Sequence, residues 1–197
     1  MKKEYRSNSN EFIATEESRK IYGCAIKFNS ESQDIGWIET ISPDAIDDEL
    51  IQRSDIFALL NHNEDDVLAR SRYGEGSLTL EIKEDGLYYE FDCPHTAKGD
   101  ELLEHIRRGE ISTSSFGFTL PEDGSGERWN QDEDGTLRRL IIKIDRLYDV
   151  SPVYEPAYLE TSCDKRALDE VNKRRHSVNK YLDSEMTDIY KYEIKLN

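Results

Sequence analysis

The 197-residue chain has few cysteines and no long apolar segment. Its three cysteines, Cys24, Cys93 and Cys163, are odd in number and far apart, which argues against a disulfide framework and for a reducing compartment. Four scattered histidines without a Cys-x-x-Cys pair argue against a zinc site, so we expect no metal. No segment approaches the roughly 18–20 apolar residues of a membrane-spanning helix, and the polar residues 1–10 lack the apolar core of a secretory signal. We therefore expect no membrane association and a protein that stays where it is made.

Basic residues are scarce relative to acidic ones in most of the chain. The sequence has 26 Lys and Arg against 42 Asp and Glu, a formal net charge of −16. Residues 1–163 carry 18 basic and 35 acidic residues, whereas residues 164–197 carry 8 basic and 7 acidic residues. Such an acidic surface repels the phosphate backbone, so we expect no nucleic acid among the partners. A solvated acidic surface is a sufficient explanation of the charge.

Composition divides the chain into three segments. Residues 1–20 are polar and predict a flexible N-terminal arm. Residues 21–163 contain the regular apolar patterns and predict one folded domain of ordinary size. In residues 164–197 the apolar positions are sparse among charges, which predicts a separable, partly helical C-terminal tail.

The clearest local element is a β-hairpin. Apolar and polar residues alternate at 77–82 and again at 87–91, which is the two-residue period of a half-buried strand. Between these segments Asp85-Gly86 predicts a tight turn, because this pair readily adopts the positive φ angles of hairpin turns.

Helical patterns are confined to two short segments of the predicted domain. A short helix is predicted after Pro43, and a longer one at 98–109, where three apolar residues share one face and Gly109 suits the position after the last turn. Further strands are predicted at 21–28, 36–41, 55–61, 111–120 and 137–150, with the first two paired as a hairpin and a mobile loop at 121–135. Many short strands and few helices indicate a mainly β domain with flanking helices (α+β), built as a bent sheet or a closed β-barrel.

Three polar residues lie within or at the ends of apolar strand patterns. His62 follows the apolar run 56–60, so that a rigid element would hold its imidazole as a general base should be held. Ser115 lies in a strand pattern beside aromatic residues, and Gly117 two positions later would leave room for an extended peptide. Asp149 lies in the last strand pattern, where an acid between apolar neighbours needs a partner.

Each of these three residues also has an ordinary structural explanation. His62 could be a surface residue at a strand end, Ser115 a hydroxyl in a Ser/Thr-rich strand, and Asp149 a carboxylate that faces water. Together, however, they are the set that a serine nucleophile requires. Because serine does not ionise near neutral pH, a base must accept its proton and an acid should orient that base.

A set of motifs follows in order from about residue 21 to residue 166. They are Leu60-Asn61-His62, Asp85-Gly86-Leu87, Arg108-Gly109-Glu110-Ile111, Ser115-Phe116-Gly117-Phe118, Asp149-Val150-Ser151-Pro152-Val153 and Pro156-Ala157-Tyr158. In this order the motifs resemble those of the head-maturation (prohead) proteases of tailed phages, which share a fold with the assemblin proteases of herpesviruses. The resemblance implies an assemblin-type fold and a serine endopeptidase with Ser115 as nucleophile, His62 as base and Asp149 as third member of the triad.

Two departures from the family pattern affect the predicted site. The family more often has Glu where Asp149 stands, and Glu155 is the alternative third member. The family often shows Gly-Met before its serine, whereas this chain has three further hydroxyl residues at 112–114. Strand alternation puts Thr113 on the same face as Ser115 and the other two hydroxyls on the opposite face.

The resemblance also implies where and on what the protein acts. Family members work inside the immature phage shell in the host cytoplasm, where they cut the scaffold protein or the scaffold-like segment of the major capsid protein, and often themselves. The expected partners are therefore the major capsid protein, the scaffold protein and the chain itself, with a homo-oligomer left open. No cofactor is expected.

Two other functions compete with the protease. A non-catalytic assembly factor would keep the protease-like domain and use it to bind capsid protein, although the presence of all three residue types counts against it. A hydrolase of small esters would be expected to carry a Gly-x-Ser-x-Gly nucleophile elbow, which the sequence lacks.

Overall fold

The computed structural model describes residues 3–9 and 19–154, and across these ranges strands far outnumber helices. In chain order the strands are β1 (Glu4–Ser9), β2 (Lys20–Lys27), β3 (Ile38–Ile41), β4 (Asp55–Leu59), β5 (Val67–Arg72), β6 (Glu75–Gly76), β7 (Leu78–Lys83), β8 (Gly86–Asp92), β9 (Ile111–Thr119), β10 (Glu127–Gln131), β11 (Leu137–Ile141) and β12 (Arg146–Tyr154). The α-helices are α1 (Asp48–Arg53) and α2 (Ala97–Arg107). The predicted mainly β, α+β class is confirmed. No helix in the described ranges is long and apolar enough to cross a membrane.

The strands form three open sheets. The largest has the strand order β1-β9-β12-β4-β5-β6, and the two smaller sheets have the orders β10-β11-β3 and β2-β8-β7. A barrel requires each strand to pair on both sides, but in the described residues β1 and β6 are edge strands. The closed β-barrel allowed by the sequence analysis is therefore wrong. An assemblin-type arrangement stays a prediction.

Strand β9 positions the site and is buried along most of its length. It pairs antiparallel with β12 on one side and with β1 on the other, so that Ser115 lies opposite Ser151 in β12 and opposite Ser7 in β1. β12 in turn pairs in parallel with β4. The largest sheet therefore places the serine strand, the aspartate strand and the strand that leads to His62 side by side.

The apolar core packs against the opposite face of β9. Phe116 and Phe118 of β9 belong to the same buried cluster as Tyr89 and Phe91 of β8, and each of these four residues is at most 2% exposed. Side chains alternate between the two faces of a strand, so the core contacts the face that Ser115 does not use. Close packing of these aromatic rings holds β9 in a fixed position.

The predicted hairpin is confirmed as β7 and β8. Their register pairs Leu78 with Phe91 and Leu80 with Tyr89, which places the apolar side chains against the core. The hairpin predicted between the strands at 21–28 and 36–41 is wrong, because β2 pairs with β8 and β3 runs parallel to β11. Both strands form where the pattern predicts them, but their partners come from distant parts of the chain.

Both predicted helices are confirmed, and side chains cap their first turns. Asp47 accepts a hydrogen bond from Leu50 N (2.7 Å) at the start of α1, and Thr96 accepts one from Gly99 N (3.2 Å) at the start of α2. Gly109 follows α2 with a φ of 72°, the left-handed conformation that favours glycine after a helix.

Two predicted segments differ in detail from the structure. Residues 121–135, predicted as a loop, contain β10, and the single strand predicted at 137–150 is two strands, β11 and β12. Between β11 and β12, Asp145 N donates to the carbonyl of Thr119 (2.8 Å) instead of continuing the first ladder. β12 also continues to Tyr154, beyond the end predicted at residue 150.

The N-terminal segment differs most from the sequence analysis. Part of the predicted flexible arm, residues 4–9, forms β1 and pairs with β9 along its whole length. Residues 10–18 and the predicted tail at 164–197, with the third cysteine before it, lie outside the described residues. Cys24 and Cys93 are buried thiols.

Candidate active site

A tight turn after β4 positions His62. β4 ends at Leu59, and one 3₁₀ turn, Leu60–His62, follows it. Asn61 and His62 adopt left-handed backbone conformations with φ of 54° and 59°, which few non-glycine residues adopt and which Asn tolerates better than most. The sequence predicts His62 at the end of the strand itself. In the structure His62 lies beyond the strand, in a turn that directs its side chain towards β9 and β12.

Both ring nitrogens of His62 lie within hydrogen-bond distance of a predicted partner. His62 Nε2 is 2.6 Å from Ser115 Oγ, and His62 Nδ1 is 2.5 Å from Asp149 Oδ1. When Nδ1–H donates to the carboxylate, the lone pair of Nε2 faces the serine hydroxyl. The three residues singled out in the sequence, which are 53 and 87 positions away from His62, thus form one chain of hydrogen bonds.

Asp149 lies on β12 and is 0% exposed. Its Oδ1 accepts a hydrogen bond from Ser151 Oγ (2.7 Å) in addition to its contact with the imidazole. Its Oδ2 lies 3.1 Å from Nζ of Lys3, the residue before β1. Three groups from three parts of the chain therefore surround a carboxylate that has lost its contact with water.

The balance of these influences lowers the pKa of Asp149. Burial is the largest single influence and acts to raise the pKa, but the hydrogen bond and charge of His62, the Ser151 hydroxyl and the charge of Lys3 together lower it below its ordinary value. For Lys3, burial acts to lower the pKa, but the Asp149 carboxylate outweighs it, so that the pKa of Lys3 is raised above its ordinary value. The acid is therefore ionised, which is the state that accepts the N–H of an imidazole.

The neighbouring hydroxyls in β9 have other surroundings. Ser114 Oγ is hydrogen-bonded to the hydroxyl of Tyr89 (2.9 Å) on the core side of the strand, as alternation predicts. Thr113 is buried on the face that Ser115 uses. The hydroxyl that the structure brings to His62 is that of Ser115. Glu155, the alternative acid, lies outside the described residues.

Strand β1 and the residue before it supply three site contacts that the sequence did not predict. Lys3 pairs with Asp149 as described above. The ring of Tyr5 meets the imidazole of His62 edge to face, with ring centroids 4.5 Å apart. The carbonyl of Arg6 accepts a hydrogen bond from Ser115 Oγ (2.9 Å). The short polar segment 4–9 has no clear alternation of apolar residues, so nothing in its sequence indicated a strand beside the site.

The space above Gly117 is filled by the site itself. A Cβ atom at this position would lie 2.4 Å from Asp149 Oδ2, 2.8 Å from Lys3 Cε and 3.0 Å from Tyr5 Cε1. In the sequence, Gly117 predicts room for an extended peptide. The structure instead gives this room to the carboxylate and to β1, so the absence of a side chain lets Asp149 approach β9.

No group of three or more His, Cys, Asp or Glu side chains in residues 3–9 and 19–154 is arranged to hold a metal ion. The chemistry that the described site can perform is proton transfer between Ser115 and His62, with Asp149 holding the imidazole in position.

Comparison with known proteins identifies relatives of this chain. The sequence profile of one family, described as caudovirus prohead serine protease, matches residues 3–174. Among solved structures, the bacteriophage T4 capsid assembly protease gp21 is similar at 13% sequence identity and a TM-score of 0.48, over 78% of this chain and 96% of that chain. No curated protein matches the sequence significantly. The matched family segment covers most of the chain and contains Ser115, His62 and Asp149.

Proposed function

The chain belongs to the caudovirus prohead serine protease family, and we propose that it cuts capsid or scaffold protein in the immature phage head with Ser115 as nucleophile, His62 as general base and Asp149 as the acid that orients the base. The family that the sequence resembles is thereby confirmed. Membership makes the chain a serine peptidase with a role in capsid maturation.

The hydrogen-bonded chain from Ser115 through His62 to Asp149 is the observation that carries these roles. The 2.6 Å between His62 Nε2 and Ser115 Oγ lies within the reach that proton transfer requires. The 2.5 Å between His62 Nδ1 and Asp149 Oδ1 is the distance of a hydrogen bond that orients the imidazole. The buried and ionised Asp149 would fix the tautomer of the imidazole and stabilise the imidazolium that forms during the reaction. These features support a working triad over a non-catalytic assembly factor.

The reaction proposed for this site is acyl transfer in two steps. Ser115 Oγ attacks a peptide carbonyl carbon while His62 Nε2 takes the hydroxyl proton, and the same proton passes to the leaving amine as the C–N bond breaks. A water molecule then attacks the acyl-enzyme ester while His62 takes a proton from it. The ester C–O bond breaks, the proton passes to Ser115 Oγ, and the new carboxyl end is released. No cofactor enters either step.

The substrates and the place of action follow from the family as proposals. The major capsid protein and the scaffold protein are the substrates proposed, inside the prohead in the host cytoplasm, and the chain itself is a further substrate. Cleavage inside the shell would remove segments needed only for assembly.

Co-expression with the capsid and scaffold proteins of the same phage tests this function, with fragments identified by mass spectrometry. We expect the native chain to process one of these proteins and Ser115→Ala to lower the rate by at least about 10³-fold, because the nucleophile is lost. Ser114→Ala is the matched control, since the hydroxyl of Ser114 faces Tyr89 in the core. It should keep processing.

The possible failures of this test point to different conclusions. Equal processing by native protein and Ser115→Ala would move the nucleophile to another residue, Thr113 being the hydroxyl on the same face. Binding of capsid protein without processing by any variant would favour the assembly factor over the protease.

A further inference from the structure

Strand β1 lies on the site in the position of a bound peptide. It pairs antiparallel with β9 along the edge that carries Ser115, with Ser7 opposite Ser115. Extended peptides commonly bind by adding a strand to such a sheet edge. We propose that β1 occupies the edge of β9 where the peptide substrate binds, so that β1 and substrate compete and β1 leaves before Ser115 is reached. This competition presupposes the proposed role of Ser115.

Each member of the proposed triad is in contact with β1 or the residue before it. Lys3 Nζ lies 3.1 Å from Asp149 Oδ2, the ring of Tyr5 packs edge to face on His62, and Arg6 contacts Ser115 through its carbonyl. A peptide substrate needs the same surface, because its scissile carbonyl must lie on the serine and beside the imidazole. β1 and substrate therefore cannot occupy this surface together.

The contact of Arg6 engages the proton that the base must remove. Ser115 Oγ donates to the carbonyl of Arg6 at 2.9 Å and lies 2.6 Å from His62 Nε2. A hydroxyl carries a single proton. The carbonyl of Arg6 therefore competes with His62 Nε2 for this proton, and departure of β1 would leave the proton to the base.

Access to Ser115 also requires a strand to move. Ser115 is 1% exposed, and β9 has β12 on one side and β1 on the other. β12 is internal and also pairs with β4, whereas β1 is an edge strand that pairs with β9 alone among the described strands. Displacing β1 breaks one ladder and displacing β12 breaks two, so β1 is the strand that gives way.

Ion pairs on the far face hold β1 in place. Alternation turns Glu4 and Arg6 away from the site. The guanidinium of Arg6 pairs with Glu39 at 2.7 and 2.9 Å, and Glu4 pairs with Arg139 at 2.7 and 3.0 Å. Substitution of Arg6 therefore loosens β1 without removing a side chain that contacts the triad.

Two variants of the whole chain loosen β1 to increasing degrees. Arg6→Ala removes the ion pairs, and Arg6→Asp in addition places a negative charge beside Glu4 and Glu39, which repel it. A fluorophosphonate probe reports access to the serine: a bond forms between Ser115 Oγ and phosphorus, fluoride leaves, and the hydroxyl proton goes to His62. Hydrogen exchange of residues 4–9, followed by mass spectrometry, reports the opening of β1.

We expect the labelling rate and the exchange rate to rise together from native to Arg6→Ala to Arg6→Asp, by about 5- to 10-fold for Arg6→Ala, which loses three charge-assisted hydrogen bonds to Glu4 and Glu39. Circular dichroism establishes the fold of each variant first, and Arg6→Ala carries the comparison if Arg6→Asp does not fold. A synthetic peptide of residues 3–9 should slow the labelling of Arg6→Asp, whereas a scrambled peptide should not.

Matched substitutions of Arg138 control for the loss of charge. Arg138 also pairs with two carboxylates, those of Glu31 and Asp132, but it lies on β11 away from β1. Arg138→Ala and Arg138→Asp should label within about twofold of the native rate, because surface pairs contribute little. Adding Ser115→Ala to each protein should abolish the label and so locate it.

The outcomes separate the competition from the proposed function. Labelling of Ser115 at one rate in all variants, while exchange of β1 rises, would overturn the competition and leave Ser115 as nucleophile. Absence of labelling in every variant would overturn the role of Ser115 and the competition with it.

Discussion

At the scale of single residues, Asp149 is a charged carboxylate that is fully buried from water. A buried carboxylate is stable only where neighbours replace the hydrogen bonds and charge compensation of the solvent. Here the imidazole of His62, the hydroxyl of Ser151 and the ammonium of Lys3 do so. Because these groups lower its pKa, Asp149 stabilises the fold when it is ionised.

Asp149→Asn tests this residue through both activity and pH dependence. We expect processing to fall by roughly 10²–10⁴-fold, because an amide does not hold the imidazole in the required tautomer. Since the pKa in the fold lies below the ordinary value of 3.8, the ionised acid stabilises the fold above this pH, and the contribution is lost as the pH falls through the lowered pKa.

The difference in free energy of unfolding between native protein and Asp149→Asn should therefore be constant from pH 7 to about pH 5 and shift against the native protein below about pH 4. Urea titrations across this range measure it. Asp92→Asn, at the exposed end of β8, is the control and should keep activity. A difference that does not vary with pH would show that Asp149 has the same pKa in the folded and unfolded chain.

Gly117 is the second residue with a defined steric role. We expect Gly117→Ala to cost about 1–3 kcal/mol of stability and roughly 10-fold or more of activity, because the new methyl group would meet Asp149 Oδ2 at 2.4 Å. Thermal unfolding and the co-expression assay measure the two effects. Gly124→Ala, where no atom lies within 4 Å of the new Cβ, should leave activity unchanged. Full activity of Gly117→Ala would mean that the acid can move without loss.

At the scale of elements, the turn Leu60–His62 decides whether the imidazole reaches Ser115. Asn61 has a φ of 54° and a ψ of 39°, which β-branched residues avoid. We expect Asn61→Gly to keep stability and processing, and Asn61→Val to lose about 1–2 kcal/mol and most of the activity. Thermal unfolding and the co-expression assay compare the pair. Equal behaviour of both variants would show that the backbone of this turn does not position His62.

Strands β9 and β1 show which features of a strand a local sequence pattern predicts. The sequence of β9 predicts its position, because a run of small and aromatic residues suits a buried strand. The partner of β9 on its outer edge could not be predicted, since residues 4–9 are polar and precede Ser115 by more than 100 positions in the sequence. An edge strand is held by its partner's hydrogen bonds and by ion pairs, which leave no apolar pattern in the sequence.

At the scale of the whole molecule, Arg139 joins two sheets. It lies on β11, is 4% exposed, and pairs with Glu4 of β1, Glu39 of β3 and Glu127 of β10. Burial acts to lower its pKa, and the three carboxylates together raise it instead. The cluster connects the sheet that carries the site to the β10-β11-β3 sheet.

Arg139→Ala should destabilise the protein by about 3–5 kcal/mol, because it removes a charge partner of the buried Glu39 and of the partly buried Glu4 and Glu127. Arg138→Ala, its neighbour on the exposed face with ion pairs to Glu31 and Asp132, should change stability far less. Urea unfolding monitored by circular dichroism provides both values. Similar losses for the two variants would show that the buried cluster does not hold the sheets together.

The sequence by itself determined several of the elements and singled out the residues of the proposed site. Alternation and capping residues specify the hairpin, α2 and β9, because these depend on neighbours in the chain. The motif order singled out Ser115, His62 and Asp149, since each lies in a short pattern that one segment contains. The roles of these residues stay predictions until variants are measured.

Only the tertiary structure decided which strands pair and what covers the site. The open sheets, the parallel pairing of β3 with β11, and β1 on the edge of β9 all join segments far apart in the chain. Such pairings are selected by the packing of the whole core and by buried charges, whose energies depend on partners that no local pattern specifies. For the same reason the contacts of Lys3, Tyr5 and Arg6 with the site became visible only in the folded chain.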